Sequence, residues 1–178
     1  MSPVIVLVIF YSRSGSTEKL ALAAAVGAVQ ARANIRLRRL PDADGANAKE
    51  SPEDDDEFRR MRKEYVAPAE RDIAAADAVI FVAPPDFNRS SAEWLACLDL
   101  LGKMGAEGRI KNKTSVAIAT TEPARLALSA AILRSGFIVA PSTSGATPDD
   151  ADRARAHGRR IAAIARALKQ NANPADAK

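Results

Sequence analysis

Short apolar runs recur along the chain and alternate with longer stretches in which apolar residues follow helical spacing. Four of the runs are rich in Val and Ile and lack polar alternation, as in strands that helices cover on both faces. These predicted strands are Val4–Tyr11, Ala78–Ala83, Ser115–Thr120 and Phe137–Ala140. A fifth run, Asn34–Leu40, alternates apolar residues with arginines, which predicts an edge strand with one face in water.

The stretches between the strands carry helix signals. The first follows a Ser/Thr cap, and the third has a proline in its first turn and a stop signal at Gly136. The predicted helices are Thr17–Arg32, Ser90–Met104, Pro123–Ser135 and Asp149–Gln170. This alternation indicates an α/β fold, a doubly wound five-stranded parallel sheet with helices on both faces. The polar second strand favours the order 2-1-3-4-5, which places strand 1 beside strand 3 at a switch point.

The length of 178 residues suits one domain, which we expect over residues 1–170, followed by a polar tail at 171–178. One segment, Pro41–Glu64, interrupts the pattern with an acidic run and then a basic cluster. We interpret it as a solvated surface excursion. The alternative is a flap that covers a ligand or lies beside a neighbouring subunit, because long insertions are often functional.

Charge and cysteine content narrow the setting of the protein. The 26 basic and 22 acidic residues give a net charge of +4, which is too balanced to indicate nucleic acid but modestly favours anionic ligands. Cys97 is the single cysteine, so an internal disulfide is impossible and a reducing compartment is favoured. The apolar opening Pro3–Phe10 is too short to span a membrane. We therefore expect a cytoplasmic protein that binds neither nucleic acid nor membranes.

The strongest candidate for chemistry is the segment between the first strand and the first helix, which reads Ser12-Arg13-Ser14-Gly15-Ser16-Thr17 and is called loop 12–17 below. A helix N-terminus offers free N–H groups and a favourable dipole to an anion, and the hydroxyls add further donors. Gly15 allows the backbone to approach a ligand closely. The competing interpretation is an ordinary N-cap, but a cap needs one hydroxyl and this loop has four. The sequence therefore predicts a phosphate site.

Other nucleotide-binding motifs do not occur. The chain has neither a G-x-G-x-x-G after a strand nor a G-x-x-x-x-G-K-[ST] sequence, which argues against dinucleotide-binding Rossmann and P-loop sites. A phospho-acceptor receiver domain would carry carboxylates after the first strand, where this chain has Tyr11 and Ser12.

The pattern S-x-S-G-x-T of loop 12–17 resembles the FMN-phosphate loop of flavodoxins, and the chain as a whole resembles the WrbA-type NAD(P)H:quinone oxidoreductases. The resemblance runs without a gap through Val79–Lys113 and returns in the last helix. The matching residues are Phe81, Pro84, Phe87, Ser91, Leu98, Asp99, Gly102, Gly108, Ala154, Arg155, Gly158 and Ala162. The resemblance implies a flavodoxin-like fold and FMN as the cofactor.

The resemblance also implies two further loops around the flavin ring. The second loop of that family reads P-T-R-F-G, whereas this chain has Pro84-Pro85-Asp86-Phe87-Asn88, so Pro85 removes a donor and Asp86 replaces an arginine. The glycine-rich third loop is replaced by the shorter Thr120-Thr121-Glu122-Pro123. A tryptophan that the family has near the ring falls on Gly105. We expect residues 85–88 and 120–122 to contact the cofactor, and Phe87 to lack a core to fill.

Three functions fit these observations. The leading hypothesis is an FMN-dependent oxidoreductase that passes two electrons from NAD(P)H to a quinone, because the flavin itself carries this chemistry and requires no catalytic side chain or metal from the protein. The alternatives are a flavodoxin-type electron carrier, which the net positive charge disfavours, and an interaction protein that has lost its cofactor. The resemblance further implies a homo-oligomer, a dimer or tetramer, whose neighbouring subunit helps to close the flavin site.

Three other side chains are assigned to structure rather than chemistry. His157 is the single histidine and is remote in sequence from the loops. Trp94 and Cys97 lie at core spacing on one predicted helix. We expect none of the three to act in catalysis.

Overall fold

The computed structural model describes residues 3–43, 56–88, 90–142 and 150–172, which form a five-stranded parallel sheet covered by helices on both faces. The strand order is β2-β1-β3-β4-β5, as the sequence predicted. The elements in chain order are β1 (Val4–Phe10), α1 (Ser16–Gln30), β2 (Ala33–Arg39), α2 (Asp56–Glu64), α3 (Glu70–Ala75), β3 (Ala78–Val82), α4 (Ala92–Ala106), β4 (Thr114–Ile118), α5 (Glu122–Arg134), β5 (Ile138–Val139) and α6 (Asp150–Ala172).

The unbroken apolar runs reflect burial on both sides of the sheet. In β1, Val6 and Val8 face the core formed with α1 and α6, while Leu7 and Ile9 face the core formed with α3, α4 and α5. Neither face of the central strands meets water, so no polar alternation is needed. Among the described helices, none has the length and apolar composition required to cross a bilayer.

Two glycines allow α1 and α6 to pack at backbone distance. A Cβ on Gly27 would lie 1.9 Å from the carbonyl oxygen of Arg155, and a Cβ on Gly158 would lie 1.9 Å from that of Ala24. Real side chains do not approach a backbone this closely, so each helix requires the other's glycine. This contact fixes α1 over one face of the sheet.

The described residues of the predicted excursion lie mostly at the surface, but two of their side chains are buried, which the prediction did not include. Residues 56–64 form helix α2, whose Phe58 and Met61 are buried. The burial results from contacts with residues distant in sequence, which the local charge pattern did not reveal. Residues 44–55 lie outside the described part of the chain. At the other end, α6 continues to Ala172, so the predicted polar tail starts within a helix, and residues 173–178 are not described.

The packing of α1 against α6 gives a stability prediction. Gly158→Ala forces the two helices apart and is expected to lower the free energy of unfolding by about 1–3 kcal/mol. Gly102→Ala is the matched control, because a Cβ at this exposed position of α4 meets nothing within 4 Å. The control should be neutral or stabilising by up to about 1 kcal/mol, since alanine favours the helix. Urea unfolding measures both; equal effects of the two substitutions would contradict the close contact.

Candidate functional site

Three loops meet at the carboxyl edge of the sheet. They follow β1, β3 and β4, which are neighbouring parallel strands. Loop 84–88 and loop 120–122 are joined directly, because the Thr121 hydroxyl donates to the carbonyl oxygen of Pro85 over 2.8 Å. The order of the sheet reverses between β1 and β3, and such switch points are where open α/β sheets bind ligands. The fold therefore brings the predicted site residues to a single edge.

Within loop 12–17, Gly15 is the N-cap of α1 and has the left-handed conformation, with φ of 80°. Ser16 and Thr17 already belong to the first turn of the helix. The prediction of a Ser/Thr cap was wrong, since no side chain of the described residues caps this helix. Ser12 instead closes the loop, its hydroxyl oxygen accepting from the Gly15 N–H over 3.1 Å. An uncapped helix start leaves its first N–H groups for an anion. This is the feature that a phosphate site requires.

The hydroxyl groups of loop 12–17 divide between two roles. Ser12 and Thr17 are buried, and the Ser12 hydroxyl supports the loop itself. Ser14 and Ser16 are exposed, with their oxygens 3.3 Å apart. Two hydroxyl groups thus lie side by side on the exposed side of the loop. A Cβ at Gly15 would come within 3.4 Å of a Glu57 carboxylate oxygen, so the space beside this glycine is narrow.

Arg39, at the end of β2, is a buried residue of the site that the sequence reasoning missed. Its guanidinium donates to the carbonyl oxygen of Ser12, from Nη2 over 3.0 Å and from Nε over 3.3 Å. Arg39 shares the strand face of Ile35 and Leu37, where the alternation predicts an apolar residue. A charged residue at an apolar position of the pattern was the signal that could have found it.

Helix α2 packs against loop 12–17 through an aromatic residue among arginines. The ring of Phe58 has the guanidinium groups of Arg13, Arg39 and Arg62 at 5.6, 5.2 and 5.8 Å from its centre. These distances are those of cation–π contacts. This helix, in the segment interpreted as a surface excursion with a ligand flap as the alternative, therefore packs directly beside the candidate phosphate loop.

An ion network fastens α2 to the first turn of α1. The buried carboxylate of Glu18 accepts from Arg60 Nη2 over 2.6 Å and from the Tyr65 hydroxyl over 2.6 Å. Burial opposes ionisation of Glu18, but these hydrogen bonds outweigh it and hold the pKa of this carboxyl below its usual value. Glu18 therefore stays negatively charged. The positive charge of Arg60 offsets the repulsion that this carboxylate would exert on an anion at the helix start.

Loop 84–88 differs in part from its predicted role. Phe87 is 4% exposed and packs edge-on against Trp94, with ring centres 5.2 Å apart. The expectation that Phe87 has no core to fill was therefore wrong. Pro85, Asp86 and Asn88 are exposed at the crevice edge. The side chains of Pro85, Asp86 and Asn88 thus face outward, while Phe87 anchors loop 84–88 to the core.

The remaining candidates fall where the fold needs them. Trp94 and Cys97 are buried in the core, and burial raises the pKa of the Cys97 thiol to about 12. His157 lies in a small cleft with Ile118 and Ala119, so the fold brings it beside the end of β4 despite its distance in sequence. Within the described residues, no group of His, Cys, Asp or Glu is arranged to hold a metal ion.

Comparisons with known proteins agree with this geometry. The family model described as "NADPH-dependent FMN reductase" matches residues 4–142. Curated relatives named "NAD(P)H dehydrogenase (quinone)" include one from Archaeoglobus fulgidus, 28% identical over 66% of this chain and 61% of its own length. Another, from Cupriavidus metallidurans, is 34% identical over 65% of this chain and 56% of its own length. The chain thus spans roughly three fifths of the relatives it matches.

Solved structures establish the fold. A WrbA-like flavodoxin from Agrobacterium tumefaciens superposes with a TM-score of 0.62 at 20% identity, covering 93% of this chain and 99% of its own. A flavodoxin from the domain Archaea gives a TM-score of 0.64 at 12% identity, covering 92% and 99%. The fold is flavodoxin-like, and the resemblance to WrbA-type proteins is confirmed. Since the family model covers most of the chain, the protein belongs to the NADPH-dependent FMN reductase family.

Proposed function

We propose that this chain binds FMN and catalyses two-electron transfer from NAD(P)H to a quinone. The observation that carries the proposal is loop 12–17, an uncapped helix start with a left-handed glycine and two neighbouring exposed hydroxyls at the switch point of the sheet. Membership of the FMN reductase family and the names of the curated relatives support the choice of cofactor and substrates.

The residues present fit the phosphate of FMN. Ser12, Arg13, Ser14, Gly15, Ser16 and Thr17 would hold it with first-turn N–H groups, hydroxyls and the charge of Arg13. Loops 84–88 and 120–122 would border the ring, through Pro85, Asp86, Asn88, Thr120, Thr121 and Glu122. Bound FMN would supply the hydride-accepting and electron-transferring chemistry, while the chain binds, orients and shields it. Phe87 contributes indirectly, by anchoring the second loop on Trp94.

We also propose a cytoplasmic homo-oligomer. Large apolar side chains are exposed on α5. Leu126 and Leu133 are each more than half exposed, and they lie on the same face of the helix, two turns apart. A contact between copies would cover them and would help to close an otherwise open crevice. The buried, unpaired Cys97 is compatible with a reducing compartment.

Purified protein tests the proposed function directly. With FMN added, the protein should retain a yellow chromophore through gel filtration, because the phosphate loop would hold the cofactor. It should also oxidise NAD(P)H in the presence of a quinone, because bound FMN would carry the electrons between them. Visible absorption and steady-state NAD(P)H consumption measure the two. Retained FMN without quinone-dependent turnover would instead indicate an electron carrier. Failure to retain FMN at any concentration tested would indicate an interaction protein, and either result overturns the proposal.

Removing one hydroxyl tests the phosphate assignment. Thr17→Val keeps the shape of a buried side chain but deletes a donor to a charged group, so FMN affinity should fall about tenfold. Riboflavin has the same ring without the phosphate, and its affinity should be nearly unchanged. The matched control is Thr114→Val, since Thr114 is buried at the opposite end of β4 and its hydroxyl has no hydrogen-bond partner among the described residues. Fluorescence titration measures each dissociation constant. Equal losses for FMN and riboflavin would contradict the assignment.

Asp86 offers a test of the second loop. A carboxylate beside the ring disfavours addition of electrons, so Asp86→Asn should make the midpoint potential of bound FMN more positive by about 10–30 mV. Asp99→Asn is the control, because Asp99 is an equally exposed carboxylate on α4, outside the three loops. A redox titration followed by visible absorption compares the two. An unchanged potential in Asp86→Asn would mean that loop 84–88 does not border the ring.

A further inference from the structure

Arg39 is held in an unusual position for an arginine on an edge strand. It is 5% exposed, and its guanidinium donates to the Ser12 carbonyl oxygen from two nitrogens. The pairing of Phe10 with Arg39 in the sheet places it directly beside the start of loop 12–17. A buried guanidinium needs hydrogen-bond partners, and a loop carbonyl supplies one of them. The contact therefore constrains the loop as much as it satisfies the arginine.

The direction of one peptide group follows from this contact. The Ser12 carbonyl and the Arg13 N–H belong to the same peptide group, and the described residues contain no cis peptide bonds. In a trans peptide the C=O and N–H point in opposite directions. Because Arg39 takes the carbonyl on the side of β2, the Arg13 N–H points away from β2. The sheet order puts β3 and the crevice on that opposite side of β1.

We propose that Arg39 is a positioning residue for the phosphate site: by holding the Ser12 carbonyl, it turns the Arg13 N–H toward the anion that loop 12–17 binds. The inference rests on the proposed function, since it assigns Arg39 to the same site. Arg39 does not contact the ligand in this account. Its guanidinium is occupied by Ser12 on one side and by Asp42 on the other, with Nη2 2.9 Å from a carboxylate oxygen.

Three neighbours fix the guanidinium in place. It lies over the rings of Tyr11 and Phe58, at 5.1 and 5.2 Å from their centres, and is paired with Asp42. Tyr11 also donates its hydroxyl to Asp42 over 3.2 Å, and burial together with the Asp42 carboxylate raises the pKa of Tyr11 above its usual range. The phenol therefore stays protonated and keeps donating. A planar fork held between rings is geometry that lysine cannot reproduce.

The same strand supplies a matched control. Arg38 faces the other side of β2 and pairs with Asp72, with Nε and Nη2 at 2.9 and 3.0 Å from its carboxylate oxygens. Arg38 and Arg39 are thus adjacent forked arginines on one strand, each paired with a carboxylate. Arg39 differs in holding loop 12–17, in its ring contacts, and in deeper burial, with its side chain 4% exposed against 24% for Arg38.

The experiment compares Arg39→Lys with Arg38→Lys, which both conserve charge, and adds Arg39→Gln. FMN and riboflavin dissociation constants are measured by fluorescence titration, with thermal unfolding of each unliganded protein. Arg39→Lys should weaken FMN binding about tenfold and leave riboflavin binding within about twofold, because the lost constraint concerns the phosphate alone. Arg38→Lys should change neither constant by more than about twofold.

The results that would overturn the inference are the following. If wild type binds FMN and Arg39→Lys binds it equally well, Arg39 does not position the loop. If FMN and riboflavin lose affinity equally, or if Arg39→Lys fails to fold while Arg38→Lys folds, the role of Arg39 is structural. If wild type does not bind FMN, the proposed function fails first and takes this inference with it. Should only Arg39→Gln unfold, the two lysine variants still decide.

Discussion

The close packing of α1 on α6 is the contact on which the site depends. Gly27 and Gly158 let the two backbones meet without intervening side chains, so α1 cannot shift or rotate without a clash. The start of α1 is the end of loop 12–17, and a helix N-terminus is useful to an anion only if it is held at a fixed point. Gly27 lies well over two turns from the loop along α1, and Gly158 lies on α6. Both nevertheless help to fix the position of the loop's N–H groups relative to β3 and β4.

Around this helix start the chain combines charges that would oppose each other in isolation. Glu18 places a carboxylate in the first turn of α1. This negative charge interacts favourably with the helix dipole but would repel an anionic ligand. Arg60, on α2, offsets that repulsion through its ion pair with Glu18, while Arg13 and Arg39 lie over the ring of Phe58. Because Arg60 and Phe58 belong to the same helix, the segment that interrupts the strand–helix pattern is the one that completes the electrostatic balance of the loop.

The sequence was sufficient for features that local patterning determines. Unbroken apolar runs predicted the strands, and the polar second strand predicted its edge position. The serine-rich turn predicted an anion site, and the structure places that turn at an uncapped helix start. Contacts between distant segments were not predictable in this way. Phe58 lies within a run of charged residues, Phe87 packs on Trp94 of the following helix, and the partner of Arg39 is a loop carbonyl 27 residues earlier in the chain. His157 similarly reaches β4 through the path of α6.

The packing of Phe87 on Trp94 has an optical consequence. Trp94 is the single tryptophan of the chain, and its indole is buried against the aromatic anchor of loop 84–88. Loop 120–122 is tied to that same loop through Thr121 and Pro85. The tryptophan emission of the protein therefore originates from one indole, which packs against the aromatic anchor of loop 84–88. This indole is a natural fluorescent probe beside one of the three loops at the carboxyl edge of the sheet.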